Sequence, residues 1–491
     1  MSEAKVSVRG QLRLLDATML VVGSMIGSGI FIVSADIARN VGSSGWLLLV
    51  WLVSGVMTLI PAVSYGELSG MYPQAGGQYV YLRNAYNPLI GFLYGWTFFM
   101  VIQCGTIAAV AVAFAKFTAV LIPWFSEQHV LFEVSGLTFS AAQLLALFNI
   151  TVLTYLNMQG LREGKFVQNL FTFSKIAVLV LLIVLGFSLG LNPDVVKLNF
   201  ANAWEAMRAT VGENGQVIRE SLSGADLLSA CGLGCVGAIF ALDAWNSSTF
   251  TAAETHNPRK TIAQSLALGT ALVTGLYVLT NVAYLFMLPV IGDPNGADVI
   301  ARGFQFAASD RIATASVETL LGGAAAIVVA ICVMISTFGC NNGIVLTGAR
   351  VYYAMSQHGL FFKDAQKINK HGVPGVALVM QGLWSGVLCL SGKYGDLLDY
   401  VVFATVLFYV LTVWGIIRLR TLRPDEERPF RAPGYPYLQI AYLIFAVLFS
   451  VNLLIYKPQY TWPGLFIVLL GIPVYYLWRK NPERHSPTLS S

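Results

Sequence analysis

Charge is what this sequence has least of: Asp, Glu, Lys and Arg make up 11% of its 491 residues, while 56% are hydrophobic. A soluble domain keeps about a quarter of its residues charged, so this composition excludes an ordinary soluble enzyme and points to a polytopic membrane protein. Histidine is also scarce, with 5 residues, and the 6 cysteines (Cys104, Cys231, Cys235, Cys332, Cys340 and Cys389) all fall in apolar runs without C-x₂-C spacing. That excludes a disulfide framework and leaves no metal-ligating pattern; buried in an apolar run, cysteine acts as a small apolar residue. No G-x-x-x-x-G-K-[ST] loop is present and the connections are too short for a nucleotide-binding domain, which disfavours an ATP-driven pump. No apolar run offers a Ser/His/Asp, paired-acid or His-cluster arrangement, so neither a catalytic residue nor a cofactor is expected. The first ten residues are polar with no cleavage pattern behind them, so no cleaved signal peptide is expected.

What the chain does have is apolar runs of about 20 residues. Spans are predicted at 13–38, 45–69, 88–120, 140–158, 164–190, 225–252, 261–290, 316–352, 374–391, 395–416, 437–456 and 461–478. Twelve spans put both termini on one side. Of the 30 Lys and Arg residues, twenty fall on that side and seven on the other, which predicts cytoplasmic termini in a plasma (inner) membrane. The net charge of +5 follows from this bias and implies no nucleic-acid partner. Only the loops at 191–224 and 291–315 are long enough for small external elements.

Two spans are built to break. The first carries Gly23-Ser24-Met25-Ile26-Gly27-Ser28-Gly29-Ile30-Phe31 in its middle, and each glycine costs a helix about 1 kcal/mol relative to Ala. The sixth runs Phe240-Ala241-Leu242-Asp243-Ala244-Trp245-Asn246-Ser247-Ser248-Thr249, and such polar side chains compete for the backbone's hydrogen bonds. Broken backbone at membrane depth survives only where it lines a protein-walled or watery cavity. Interrupted helices five spans apart point to an inverted-repeat transporter with its site at the midplane.

Chemically, a restarted first helix aims the N–H groups of Gly27, Ser28 and Gly29 at the cavity from a positive helix end, suited to a carboxylate. The carbonyls near Met25, Ile26, Phe240 and Ala241 suit an ammonium. A zwitterionic α-amino acid matches both.

Ionisable residues inside a membrane are costly and default to function. Lys175 lies about 16 Å into the fifth span, too deep for its stem to reach an interface. Asp243 admits three readings: facing the substrate amine, meeting a polar neighbour, or capping the second half of span six, the last being favoured. Asn246 and Ser247 divide in the same way. Trp245 fits either the cavity wall or the core, and Glu67 and Glu254 read as gate or loop-anchoring residues.

These residues carry a family resemblance. The Gly23–Phe31 and Phe240–Asn246 stretches, the following Glu254-x-x-Asn257-Pro258-Arg259, the run Ser336-Thr337-Phe338-Gly339-Cys340-Asn341-Asn342-Gly343 with Thr347, Arg350 and Tyr353, and Arg428-Pro429-Phe430-Arg431-Ala432-Pro433-Gly434-Tyr435-Pro436 together resemble the amino acid–polyamine–organocation superfamily. Within it the chain is most similar to the L-type amino acid transporter branch and its bacterial relatives, over residues 12 to 455.

The resemblance implies an all-α membrane protein of twelve helices: a 5+5 inverted repeat of the LeuT type with helices 1 and 6 unwound, plus two C-terminal helices. On that plan residues 1-12 are a cytoplasmic tail, 13-190 and 225-416 the two repeats, 437-478 the last two helices and 479-491 the second tail. It also implies that Gly27, Ser28 and Gly29 take the substrate carboxylate, and that Met25, Ile26, Phe240 and Asp243 take the amine, with Ala241 and Ala244 beside the substrate. Lys175, with Ser336 or Thr337, would occupy the place of a coupling cation in sodium-dependent relatives, and Trp245 and Asn246 would serve gating.

The chain departs from the family at Leu242 and Ala244, where the sixth helix usually reads Phe-Ala-Tyr-x-Gly-Trp. The added methyl of Ala244 favours a smaller substrate. The function implied is sodium-independent exchange of neutral L-amino acids by alternating access. The alternatives are a proton-coupled symporter, an amine or polyamine carrier, which would leave Gly27 to Gly29 without a carboxylate, and a non-transporting sensor. Animal members of the branch pair with a glycoprotein through a cysteine between spans three and four. Residues 121–139 contain none, so no disulfide-linked partner is expected; the partners expected are an amino acid and the lipid bilayer.

Overall fold

In a computed structural model, residues 12–134, 137–212, 216–391 and 394–479 are described. The expected tails lie outside them except for Leu12 and Arg479. The first half of the chain forms α1 (Leu14–Met25), α2 (Gly29–Ile32), α3 (Ser34–Val41), α4 (Ser44–Met71), α5 (Gln78–Ala85), α6 (Pro88–Thr97), α7 (Gln103–Leu121), α8 (Ala141–Met158), α9 (Leu161–Ser188) and α10 (Pro193–Ala201). The second half forms α11 (Gly224–Ala241), α12 (Ser247–Phe250), α13 (Pro258–Met287), α14 (Val299–Arg302), α15 (Ile312–Leu321), α16 (Ala324–Gln357), α17 (Gly375–Ser391), α18 (Tyr394–Leu422), α19 (Tyr437–Tyr456) and α20 (Pro458–Arg479).

Among the described residues, eleven helices are long and apolar enough to cross a membrane. The expected ninth span is the shorter α17, of 17 residues. The eighth needs a correction: residues 316–321 belong to α15, which Gly322 ends in a left-handed conformation at φ 57° before α16 begins. The loop at 191–224 carries α10 and an antiparallel hairpin, β3 (Met207–Val211) with β4 (Val217–Ser221). A second hairpin, β1 (Val130–Val134) with β2 (Leu137–Ser140), sits where no element was expected.

Local chemistry sets the helix starts. Asn87 accepts the Ile90 N–H at 3.0 Å and Pro88 takes the first helical position, where its missing N–H costs nothing. Ser140 and Gln143 form a reciprocal capping box on α8. Between α6 and α7 the chain widens into a π-helical turn at Phe98–Ile102, a distortion frequent at functional sites.

The core is the pair of broken helices. Val21, Val22, Ile26, Ile30 and Phe31 are all buried, and α1 packs on α9, α13 and α16. Outer helices show the opposite pattern: α9 turns Val180, Leu181 and Val184 outward toward lipid, and directs Thr172 and Lys175 inward.

Candidate functional site

Helix α1 keeps its hydrogen bonds through Ile26, whose N–H donates to the Val22 carbonyl at 2.9 Å. At Ile26 the backbone turns extended (φ −74°, ψ 95°), and the chain restarts at Gly29. The last four carbonyls of a helix have no partner within it, and lipid can offer none. Here all four are met by side chains from distant helices. Lys175 Nζ donates to the Gly23 oxygen at 2.6 Å and the Ile26 oxygen at 2.8 Å. Cys340 Sγ donates to the Ser24 oxygen at 2.9 Å, and the Tyr277 hydroxyl to the Met25 oxygen at 3.1 Å. Ser336 Oγ lies 3.3 Å from the Ile26 oxygen and 3.2 Å from that of Gly27.

The break therefore draws on α9, α13 and α16 together. Thr337, also named from the sequence, turns back on its own helix and donates to the Val333 carbonyl at 2.8 Å.

The second break follows Ala241. Asp243 N–H donates to the Phe240 carbonyl at 3.1 Å, Ala244 adopts φ 64°, and Ser247 Oγ closes the turn onto the Ala244 carbonyl at 2.6 Å. The left-handed conformation at Ala244 is one that glycine, with no Cβ to clash, adopts more readily. Asp243 does not cap α12. The cap position belongs to Asn246, whose side chain makes no cap bond, and the Asp243 carboxylate accepts from the Tyr409 hydroxyl at 2.6 Å. Asp243 lies three residues ahead of the cap position, so its carboxylate is placed to meet the Tyr409 hydroxyl rather than the first N–H groups of α12. Trp245 is core: its ring lies 4.7 Å from that of Tyr65 and 5.1 Å from that of Tyr409. Asn246 donates to Gln78 Oε1 at 3.3 Å, and Gln78 to Thr412 at 3.1 Å.

The two breaks touch. A Cβ on Gly29 would collide with that of Ala241, so the approach requires glycine. Two cavities, each of about 20 Å³, flank the contact and share Thr106, Asp243, Ala244 and Ile344 in their walls. One is bounded by Ser24, Met25, Gly27, Ser28, Gly29, Phe240 and Ala241, which brings together every backbone position predicted for the substrate except Ile26. The other sets Gln78, Gln103, Asn246, Thr405 and Tyr409 among the apolar walls of Tyr94, Phe98, Ile102, Phe250 and Ile344. Thr405 Oγ1 is buried there without a hydrogen-bond partner among the described residues. Each cavity has room for about one water, so an amino acid enters only as the surrounding helices part.

Ion pairs lie between elements on either side of the breaks. On one side Arg39 Nη1 donates to Asp310 at 2.7 Å and to the Gln305 carbonyl at 2.9 Å. On the other, Arg350 pairs with Glu254 at 3.2 Å. Glu67 pairs with Arg420 at 2.6 Å and Arg428 at 3.3 Å and accepts the Ala432 N–H at 2.8 Å. It thus anchors the loop between α18 and α19.

Sequence reasoning missed Cys340, Tyr277, Tyr409 and the Gln78–Thr412 pair. The signal available was polarity at membrane depth: Gln78, Gln103, Gln168, Asn341 and Asn342 are all buried, and in a membrane such side chains pair with one another or with backbone.

The family model described as amino acid permease matches residues 12–476. The human cystine/glutamate transporter is 31% identical over 98% of this chain and 88% of its own length. The mouse large neutral amino acids transporter small subunit 2 is 30% identical over 97% and 83%. The mouse b(0,+)-type amino acid transporter 1 is 28% identical over 96% and 88%.

Proposed function

This multi-pass membrane chain belongs to the amino acid permease family, and we propose that it is a sodium-independent exchanger of neutral L-amino acids working by alternating access. The observation that carries the reading is the pair of hydrogen bonds from Lys175 Nζ to the Gly23 and Ile26 carbonyls. A fixed ammonium supplies, within the chain, the positive charge that a bound cation would bring to the first break. The substrate carboxylate meets the restart of α2 at Gly27, Ser28 and Gly29. Carbonyls keep a second lone pair after accepting one bond, so the Met25 oxygen remains able to hold the ammonium, with Phe240, Asp243 and Ala241 beside it; the Ile26 oxygen, expected in the same role, already accepts from Lys175 and Ser336.

The substrate side chain points past Ala244 into this cavity, whose volume of about 20 Å³ and mixed polar and apolar walls favour small neutral substrates such as alanine, serine and threonine. Residues 13-190 and 225-416 form the two inverted repeats that rock about this site, with Ser336, Trp245 and Asn246 moving at their boundary. The chain sits in the plasma (inner) membrane with cytoplasmic termini, catalyses no reaction, and works without a disulfide-linked subunit, since residues 121–139 contain no cysteine.

Proteoliposomes test this directly. Labelled serine should enter faster when the lumen holds unlabelled serine, and leucine should compete poorly. Uptake that ignores the internal amino acid would overturn the exchange mechanism, and uptake of amines lacking a carboxylate would favour the polyamine reading.

A further inference from the structure

A third cavity, away from the breaks, lies beside Arg479 at the end of α20. It has a volume of about 490 Å³ and is walled by Arg83, Asn87, His358, Tyr475, Tyr476 and Arg479, among others. Two of these side chains are guanidinium groups, and among the described residues no carboxylate lines the cavity. Arg83 Nη1 donates to His358 Nε2 at 2.7 Å. An arginine has only donors, so Nε2 accepts and the ring is neutral, with its Nδ1–H turned to the Tyr79 hydroxyl at 3.1 Å. Burial and the Arg83 charge lower the His358 pKa to about 4, consistent with that tautomer. The histidine therefore orients Arg83 without adding or cancelling charge. The start of α6, capped by Asn87, contributes a positive helix end to the same wall.

Two guanidinium groups on one cavity wall, with no carboxylate among the described residues beside them, favour an anion there, and the surroundings say which kind. The cavity opens beside α20, whose Phe466, Leu469, Leu470, Tyr476 and Leu477 face outward. Such a face meets acyl chains. A basic pocket between membrane helices at the head-group level is suited to an anionic lipid, and Tyr476 sits at its rim as interfacial aromatics do.

We propose that this cavity binds the phosphate of an anionic phospholipid of the leaflet facing both termini, with Arg83 and Arg479 on the phosphate oxygens and the acyl chains along α20. The bound lipid ties the start of span three to the ends of spans eight and twelve.

The test is lipid retention counted by native mass spectrometry, on full-length protein reconstituted in phosphatidylcholine nanodiscs with or without one-fifth phosphatidylglycerol. The wild type should retain phosphatidylglycerol preferentially. Arg83→Gln and Arg479→Gln should each reduce retention about fivefold, the value of one basic residue near a charged lipid surface. Arg259→Gln, on the same face but paired with Glu427 outside the cavity, should leave it unchanged. If Arg83→Gln misfolds, Arg479→Gln at an exposed helix end carries the comparison alone. Equal retention in Arg479→Gln and wild type would overturn the proposal. So would thermal protection by 10 mM inorganic phosphate in pure phosphatidylcholine matching that given by phosphatidylglycerol, which would make the site one for a free anion.

Discussion

The ammonium of Lys175 lies 2.6 Å from the carbonyl oxygen of Gly23, a residue 152 positions earlier in the chain. That bond, with its partner to Ile26, joins the lipid-facing helix α9 to the break in α1. Replacing Lys175 with Met keeps the stem and removes the charge, taking the side-chain donor from the buried Gly23 carbonyl and leaving that of Ile26 with only the longer bond from Ser336. Each such loss costs about 1–3 kcal/mol. Lys175→Met should lower the thermal unfolding midpoint and cut exchange at least tenfold, measured by uptake into proteoliposomes at matched protein content.

Tyr409 and Asp243 give a sharper pair. Tyr409→Phe removes the hydroxyl donor and leaves the carboxylate with only the Ala244 N–H, while Asp243→Asn keeps an oxygen that can accept. Tyr409→Phe should therefore destabilise by about 1–3 kcal/mol and Asp243→Asn by less. Unfolding midpoints of the two variants in one detergent decide it; the reverse order would mean the hydroxyl contributes little.

Ala244 holds φ 64°, a conformation that costs a residue with a Cβ about 1 kcal/mol. Ala244→Gly should raise stability where the backbone is otherwise unchanged, and should widen the cavity it shares with Asp243. The expected readout is a higher unfolding midpoint together with better competition by leucine.

How much of this was legible follows from the kind of signal each residue gives. The first break was readable because three glycines in a span have no apolar purpose, and the second because a polar run interrupts an apolar one. Lys175 announced itself by depth. Its partners did not: Tyr277 and Cys340 look like ordinary span residues, and only folding brings them to the Met25 and Ser24 carbonyls. Asp243 misled because a carboxylate ahead of a helix reads as a cap, whereas a hydroxyl from α18, 166 positions away, competes for it. The left-handed turn at Ala244 was hidden because alanine rarely adopts it. The α15–α16 boundary was lost because a lone Gly-Gly inside an apolar run reads as a continuous helix.

His358 supplies a pH dependence. Its folded pKa of about 4 lies below the ordinary 6.5, so the folded state holds the proton less tightly than the unfolded one. The stabilisation from its neutral ring is fully present above pH 6.5 and is lost as pH falls from there toward 4. Wild type should lose thermal stability through that window more steeply than His358→Gln, and parallel curves would show that the ring's protonation is not coupled to folding.

The fixed charge at the first break is the centre of the functional account, and its most direct test is ion replacement. Initial uptake of labelled serine into serine-loaded proteoliposomes should be the same in sodium and in N-methyl-D-glucamine. A requirement for sodium would contradict the account, since a cation cannot share the Gly23 and Ile26 oxygens with the Lys175 ammonium.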